Sequence, residues 1–133
     1  MAELQAFING FGMIFELKYF VMMFGGVTFG LILGALPGLT GSMGIALMLP
    51  FTYNMTPLSS LVFLLSIYSG GLFGGAITAV LINTPGSPAN IATVLDGYPM
   101  SQKGQTEEAL GLALYSSVAG GLIGCTFLVM VME

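Results

Sequence analysis

The chain has 133 residues, of which 56% are hydrophobic and 6% charged, with a mean hydropathy of +0.97 and a formal charge of −4. Soluble domains carry about a quarter charged residues, so there is too little polar surface here to cover a water-soluble globule, and the composition points to an integral membrane protein. Only Lys18 and Lys103 oppose the carboxylates of Glu3, Glu16, Asp96, Glu107, Glu108 and Glu133, which leaves no basic patch and excludes nucleic acid as a partner.

Residues 1–18 place Phe7, Ile8, Phe11, Ile14 and Phe15 roughly on one helical face, with Glu3, Gln5, Asn9 and Glu16 mostly off it. This pattern predicts an interfacial amphipathic helix. Met1-Ala2-Glu3-Leu4-Gln5 has no basic n-region and no small-residue cleavage site follows, so the first span is expected to insert uncleaved.

Tyr19 to Leu36 holds no charge; its length of about 27 Å as a helix matches the hydrocarbon thickness. Gly26, Gly30, Gly34 and Gly38 recur every four residues and are expected to let another backbone approach closely. Pro37-Gly38 interrupts the run. A short apolar segment, Ser42 to Leu49, follows and ends at Pro50; residues 51–57 read as an interfacial loop. Leu58 to Ile82 is a second uncharged run, with Gly70, Gly71, Gly74 and Gly75 marking a flexible or closely packed point. A second break, Asn83 to Asn90, contains Pro85-Gly86. Ile91 to Leu95 completes a short apolar piece closed by Asp96-Gly97-Tyr98-Pro99, and Met100 to Thr106 is the most polar loop. Thr106 is the expected N-cap of the third span, with Glu107 and Glu108 in its first turn, where the helix dipole favours carboxylates. Gly120 and Gly124 are spaced for close packing, and Cys125 is expected to be a small packing residue.

The fold class read from this pattern is an all-α integral membrane protein with two Pro-Gly-broken segments, each either a re-entrant hairpin or a discontinuous crossing. It forms a single membrane domain fragment: an interfacial helix at 1–18, a first span plus half-helix at 19–50, a second span plus half-helix at 58–99 and a third span at 107–132. Lys18 precedes the first span and Lys103 the third, so the positive-inside count is one against one and does not set the orientation.

A shift of 48 residues lays Pro37-Gly38 on Pro85-Gly86, Gly41-Ser42 on Ala89-Asn90 and Gly26 on Gly74. Both units read as a Gly-rich span, a Pro-Gly break, a short apolar helix and a Pro-containing loop. Two such elements can converge on one site, as repeated discontinuous helices do in transporters.

A new short helix follows each break. Its first N–H groups lack intrahelical acceptors and carry partial positive charge, so an anion can be held there without a basic side chain. Hydroxyl and amide groups of Thr40, Ser42, Thr84, Ser87 and Asn90 add donors, and their oxygens, with carbonyls freed by Pro37, Pro85 and Pro88, suit a hard cation such as sodium. The alternative is that these residues only cap buried half-helices. Gly41-Ser42-Met43-Gly44 has the outline of a serine nucleophile turn, but with no His and both lysines in loops nothing activates Ser42, so no enzyme is expected.

At these residues the chain resembles the large membrane subunit of the tripartite tricarboxylate transporters. Gly34 to Pro50 is similar to its first signature, and Ile82-Asn83-Thr84-Pro85-Gly86-Ser87-Pro88-Ala89 with Leu95-Asp96-Gly97-Tyr98-Pro99-Met100 and Lys103-Gly104-Gln105 to its second; the likeness runs from about Gly25 to Gly124. It implies roughly the N-terminal quarter of a multi-pass protein of the bacterial inner membrane, a secondary-active importer of carboxylates. It also implies a coupling cation, sodium or proton, and as partners a small membrane subunit and a periplasmic solute-binding protein. The substrate or ion path would then include Gly38, Thr40, Gly41 and Ser42 from the first break, and Asn83, Thr84, Pro85, Gly86, Ser87, Pro88, Ala89 and Asn90 from the second. The competing function is a non-transporting membrane scaffold whose small-residue stripes only bind partner helices.

Overall fold

The computed structural model describes Gln5, Asn9, Gly10, Gly12, Met13 and residues 15–132. Half of the residues of the interfacial helix expected over 1–18 lie outside the described ones. Five α-helices follow: α1 (Leu17–Gly34), α2 (Gly41–Met48), α3 (Pro57–Ile82), α4 (Ile91–Gln102) and α5 (Thr106–Met132). A 3-10 helix, Leu49–Asn54, extends α2, and another, Pro88–Asn90, leads into α4. The described residues contain no strand, and α1, α3 and α5 are each long and apolar enough to cross a membrane. The fold is that of an all-α membrane protein.

Helix α3 is the axis of the assembly. Pro57 starts it at a position where a missing N–H removes nothing, and Ile67, Ala76, Ala79 and Val80 supply most of the buried apolar side chains. It ends at Asn83, which takes the left-handed conformation (φ 58°) and donates its N–H to the Thr78 carbonyl. Asn tolerates this conformation better than most side chains and so stops the helix sharply.

Helix α1 packs on α3 through bare backbone. Cβ atoms added at Gly26, Gly30 or Gly34 would meet the Phe63, Ile67 and Gly71 carbonyl oxygens respectively, and reciprocally Gly70 and Gly74 face the carbonyls of Val27 and Leu31. Both helices advance together along this seam, so α1 and α3 run parallel. The absence of Cβ on both sides lets the axes close up and brings Cα–H groups onto carbonyl oxygens. Residues 70–75 are therefore a closely packed stretch of unbroken helix. The expected stripe stops at Gly34: a Cβ on Gly38 would touch nothing within 4 Å.

Three expectations need correcting. Helix α4 continues past Leu95 to Gln102 with Pro99 inside it, forfeiting the hydrogen bond that an N–H at residue 99 would give the Leu95 carbonyl. The polar loop is thus only 103–105. Second, α5 starts one residue earlier than expected. Gly104 (φ 80°) turns the chain, the Gln105 carbonyl accepts the first helical N–H, from Ala109 at 3.0 Å, and Thr106 is already in the helix with its hydroxyl 3.0 Å from that of Ser101. Third, Gly120 and Gly124 meet nothing within 4 Å and Cys125 is exposed, so these residues pack against nothing within the described chain.

Candidate functional site

The first break is built by its proline and glycine. Pro37 and Gly38 (φ 91°) occupy the centre of a turn closed by the Leu39 N–H on the Leu36 carbonyl at 3.0 Å. Proline second and a left-handed glycine third is the signature of a type II turn. Gly38 is exposed and shapes the turn. Thr40 then caps α2: its hydroxyl accepts the Met43 N–H at 3.4 Å and lies 2.8 Å from the Ser42 hydroxyl. Among the described residues the Gly41 and Ser42 amides have no acceptor, so α2 opens with two free donors at its positive end.

Helix α2 returns along α3 in the opposite sense. Gly41 lies against Tyr68 and Gly71, Gly44 against Ile67, and the Ser60 hydroxyl donates to the Thr52 carbonyl at 3.2 Å.

The second break descends from the C-terminal end of α3. Thr84 bonds locally to the Ile82 carbonyl at 3.2 Å. Gly86 donates its N–H to the Gly75 carbonyl at 3.4 Å and sits against the end of α1 at Gly34. Asn90, 7% exposed, donates its side-chain N–H to the Leu72 carbonyl at 3.1 Å. The chain then climbs again, with Gly97 against Val80, so α4 runs parallel to α3. The starts of α2 and α4 thus lie near one height on α3, between Tyr68 and Gly75, and the two helices diverge from it.

The breaks meet around a cavity of about 190 Å³ lined by Thr40, Gly41, Ser42, Tyr68, Leu72, Ser87, Pro88 and Ala89. Six of the twelve residues expected to form a site are thereby brought together: Thr40, Gly41, Ser42, Ser87, Pro88 and Ala89. Gly86 and Asn90 stand behind them as braces to α3. Gly38, Asn83, Thr84 and Pro85 do not line the cavity. Tyr68 and Leu72 do; the signal that could have found them is their position beside Gly70-Gly71 on an otherwise apolar helix.

No charged side chain lines this cavity. Its lining residues with polar side chains are Thr40, Ser42, Ser87 and Tyr68, beside the free α2 amides. The Ser87 hydroxyl oxygen is buried without a hydrogen-bond partner, a situation that costs about 1–3 kcal/mol unless a partner is supplied. Donors and oxygen acceptors are present together, so the cavity can hold a carboxylate at the α2 amides or a hard cation at the hydroxyl oxygens. The start of α4 is different: the Asn90 N–H bonds to the Ser87 carbonyl and the Ile91 N–H to that of Pro88, so its 3-10 turn has already used donors that α2 leaves free. No group of three or more metal-ligating His, Cys, Asp or Glu side chains occurs among the described residues.

The chain is 40% identical over 108 residues to a protein of Agrobacterium vitis described as "Uncharacterized 52.8 kDa protein in TAR-I ttuC' 3'region". The alignment covers 81% of this chain and 22% of that relative, so the chain spans about a fifth of the relative's length. No solved structure matches. Residues 20–133 match the family described as Tripartite tricarboxylate transporter TctA family. That match takes in both Pro-Gly breaks, the three long apolar helices except for the first residues of α1, and every residue of the small cavity, and on it the chain belongs to the TctA family of tripartite tricarboxylate transporters.

Proposed function

We propose that this chain is part of the membrane subunit of a secondary-active importer of organic carboxylates, and that the cavity between its two breaks binds one carboxylate group of the substrate, a coupling cation, or both. The observation that carries this reading is the convergence of Thr40, Gly41 and Ser42 with Ser87, Pro88 and Ala89, 47 residues apart in sequence, on one uncharged polar cavity against α3. Irregular backbone at membrane depth needs either burial in protein or a watery cavity to line, and transporter sites are built in this way from discontinuous helices. In this reading the first break is a hairpin returning toward the end where α1 began, and the second a dip from the opposite end. Family membership further supports a bacterial inner-membrane, multi-pass location, a small membrane subunit and a periplasmic solute-binding protein as partners, and sodium or proton coupling.

The test is uptake of labelled tricarboxylates and dicarboxylates into vesicles holding the complete transport system, with sodium and pH gradients imposed separately. Uptake that depends on the binding protein and on one cation gradient, and that is lost in the full-length Ser42→Ala, Ser87→Ala double variant while membrane insertion is retained, supports the site. Undiminished uptake by that variant removes the site, and absence of uptake by the wild-type system favours the scaffold reading.

A further inference from the structure

Asn90 belongs to the second break but does not line the small cavity. It lies behind the cavity wall, buried, and makes two hydrogen bonds. Its backbone N–H donates to the Ser87 carbonyl at 3.0 Å and closes the 3-10 turn Pro88–Asn90. Its side-chain Nδ2 donates to the Leu72 carbonyl of α3 at 3.1 Å. Ser87 and Leu72 both line the cavity, so one buried residue ties two of its walls together from behind.

The side-chain bond is the firmest link between the break and the axis helix. Among the described residues, the two backbone links are longer: the Gly86 N–H to the Gly75 carbonyl at 3.4 Å and the Thr84 N–H to the Thr78 carbonyl at 3.5 Å. Both exceed the usual range for an N–H donor on a carbonyl, which the Asn90 bond meets. Gly75 makes the bond possible, since a Cβ there would collide with the Asn90 Nδ2. Leu72 lies inside α3, where its carbonyl accepts the helical N–H four residues on, and a carbonyl has a second lone pair for a further donor. Asn90 therefore adds to an intact helix, and its removal leaves the Leu72 carbonyl still paired. What its removal frees is the turn that carries Ser87.

We propose that Asn90 is the positioning residue of the carboxylate site: its bond to Leu72 holds the second break against α3, so that the Ser87 hydroxyl shares one cavity with the free Gly41 and Ser42 amides. The Ser87 hydroxyl oxygen is buried without a partner, and a bound carboxylate supplies one by accepting its proton in a hydrogen bond while the α2 amides hold the same group. Asn90 itself touches no ligand and acts through Ser87. Its role rests on the small cavity being the carboxylate site.

Equilibrium binding of labelled citrate, a tricarboxylate, to the purified full-length protein tests this in the wild type, Asn90→Ala, Ser87→Ala and the double variant, at one fixed sodium concentration. Asn90→Ala is expected to weaken binding about tenfold, the scale of one hydrogen bond to a charged group, with a melting temperature close to wild type. In the Ser87→Ala background the same change is expected to add almost nothing, because residues acting through one contact are not additive. A purely structural Asn90 would weaken binding equally in both backgrounds. Should Asn90→Ala fail to fold, Asn90→Leu, of similar size and without a donor, carries the same expectations. Wild-type affinity in the Asn90 variants, equal weakening in both backgrounds, or wild-type affinity in Ser87→Ala overturns the positioning role while citrate binding by the wild type upholds the carboxylate reading. Absence of citrate binding by the wild type overturns that reading and the role of Asn90 with it.

Discussion

Gly86 donates its backbone N–H to the carbonyl of Gly75 at 3.4 Å, and a Cβ on Gly86 would stand 2.5 Å from the Gly75 Cα and 2.8 Å from the Gly34 carbonyl oxygen. The second break, the axis helix and the end of α1 therefore meet at a point that only three glycines can occupy. Gly86→Ala must displace backbone on both sides, because no flexible side chain is there to yield. We expect this substitution to destabilise the full-length protein by about 1–3 kcal/mol, the range of an overpacked core. Thermal unfolding in detergent measures it, and a melting temperature equal to wild type would contradict the packing described.

The α1–α3 seam has the same character. Gly30→Ala drives a Cβ into the Ile67 carbonyl, with the Gly71 nitrogen at 2.9 Å, whereas a Cβ at Gly25, one face away, meets nothing within 4 Å. Alanine favours helix over glycine by up to about 1 kcal/mol. Gly25→Ala is thus expected to be neutral or mildly stabilising and Gly30→Ala to lower the yield of folded protein and its melting temperature. Equal behaviour of the two variants counts against the seam.

Ser87 separates binding from packing. Its hydroxyl oxygen is buried without a partner, so Ser87→Ala relieves a desolvation penalty of about 1–3 kcal/mol in the ligand-free protein. The expected result is a variant at least as stable as wild type with reduced carboxylate uptake. Loss of stability together with uptake would assign Ser87 a structural role instead.

Thr40 caps α2 through its hydroxyl, which accepts the Met43 N–H. Thr40→Ala is expected to lose about 1 kcal/mol of stability, the usual value of such a cap, while Thr40→Ser keeps it. Melting temperatures of the two variants decide this directly, since the substitutions differ in whether the capping oxygen is present.

Sidedness follows from helix direction. Tyr53 is exposed beside the N-terminal end of α3, where the Thr52 carbonyl meets Ser60; Lys103 lies beyond Gly97, which packs near the C-terminal end at Val80. Helix α3, of 26 residues, is about 39 Å long at 1.5 Å per residue, enough to cross. In a Cys125→Ala background, Tyr53→Cys and Lys103→Cys are expected to react with an impermeant thiol reagent from opposite sides. Labelling of both from one side would place α3 other than across the membrane.

Much of this protein is written in its composition and punctuation. Scarce charge, three long apolar runs and two Pro-Gly interruptions are local properties, and they dictate an all-helical membrane protein with breaks at 35–40 and 83–90 because helix propensity, hydrophobicity and turn chemistry act over a few residues. What they leave open is where each short element goes after its break. That Thr40 to Ser42 meets Ser87 to Ala89, while Gly38 and Asn83 only turn the chain, depends on the α1–α3 backbone seam, which fixes the height at which both breaks sit. The fate of Asp96 is of the same kind. A Tyr-Pro pair after Asp-Gly reads as a loop, yet α4 runs through Pro99 and holds Asp96 within the helix. Local sequence determined that the chain would break twice; only packing on the glycines of α3 decided that the breaks would face each other, because close approach of two backbones is a property of both helices and of neither sequence alone.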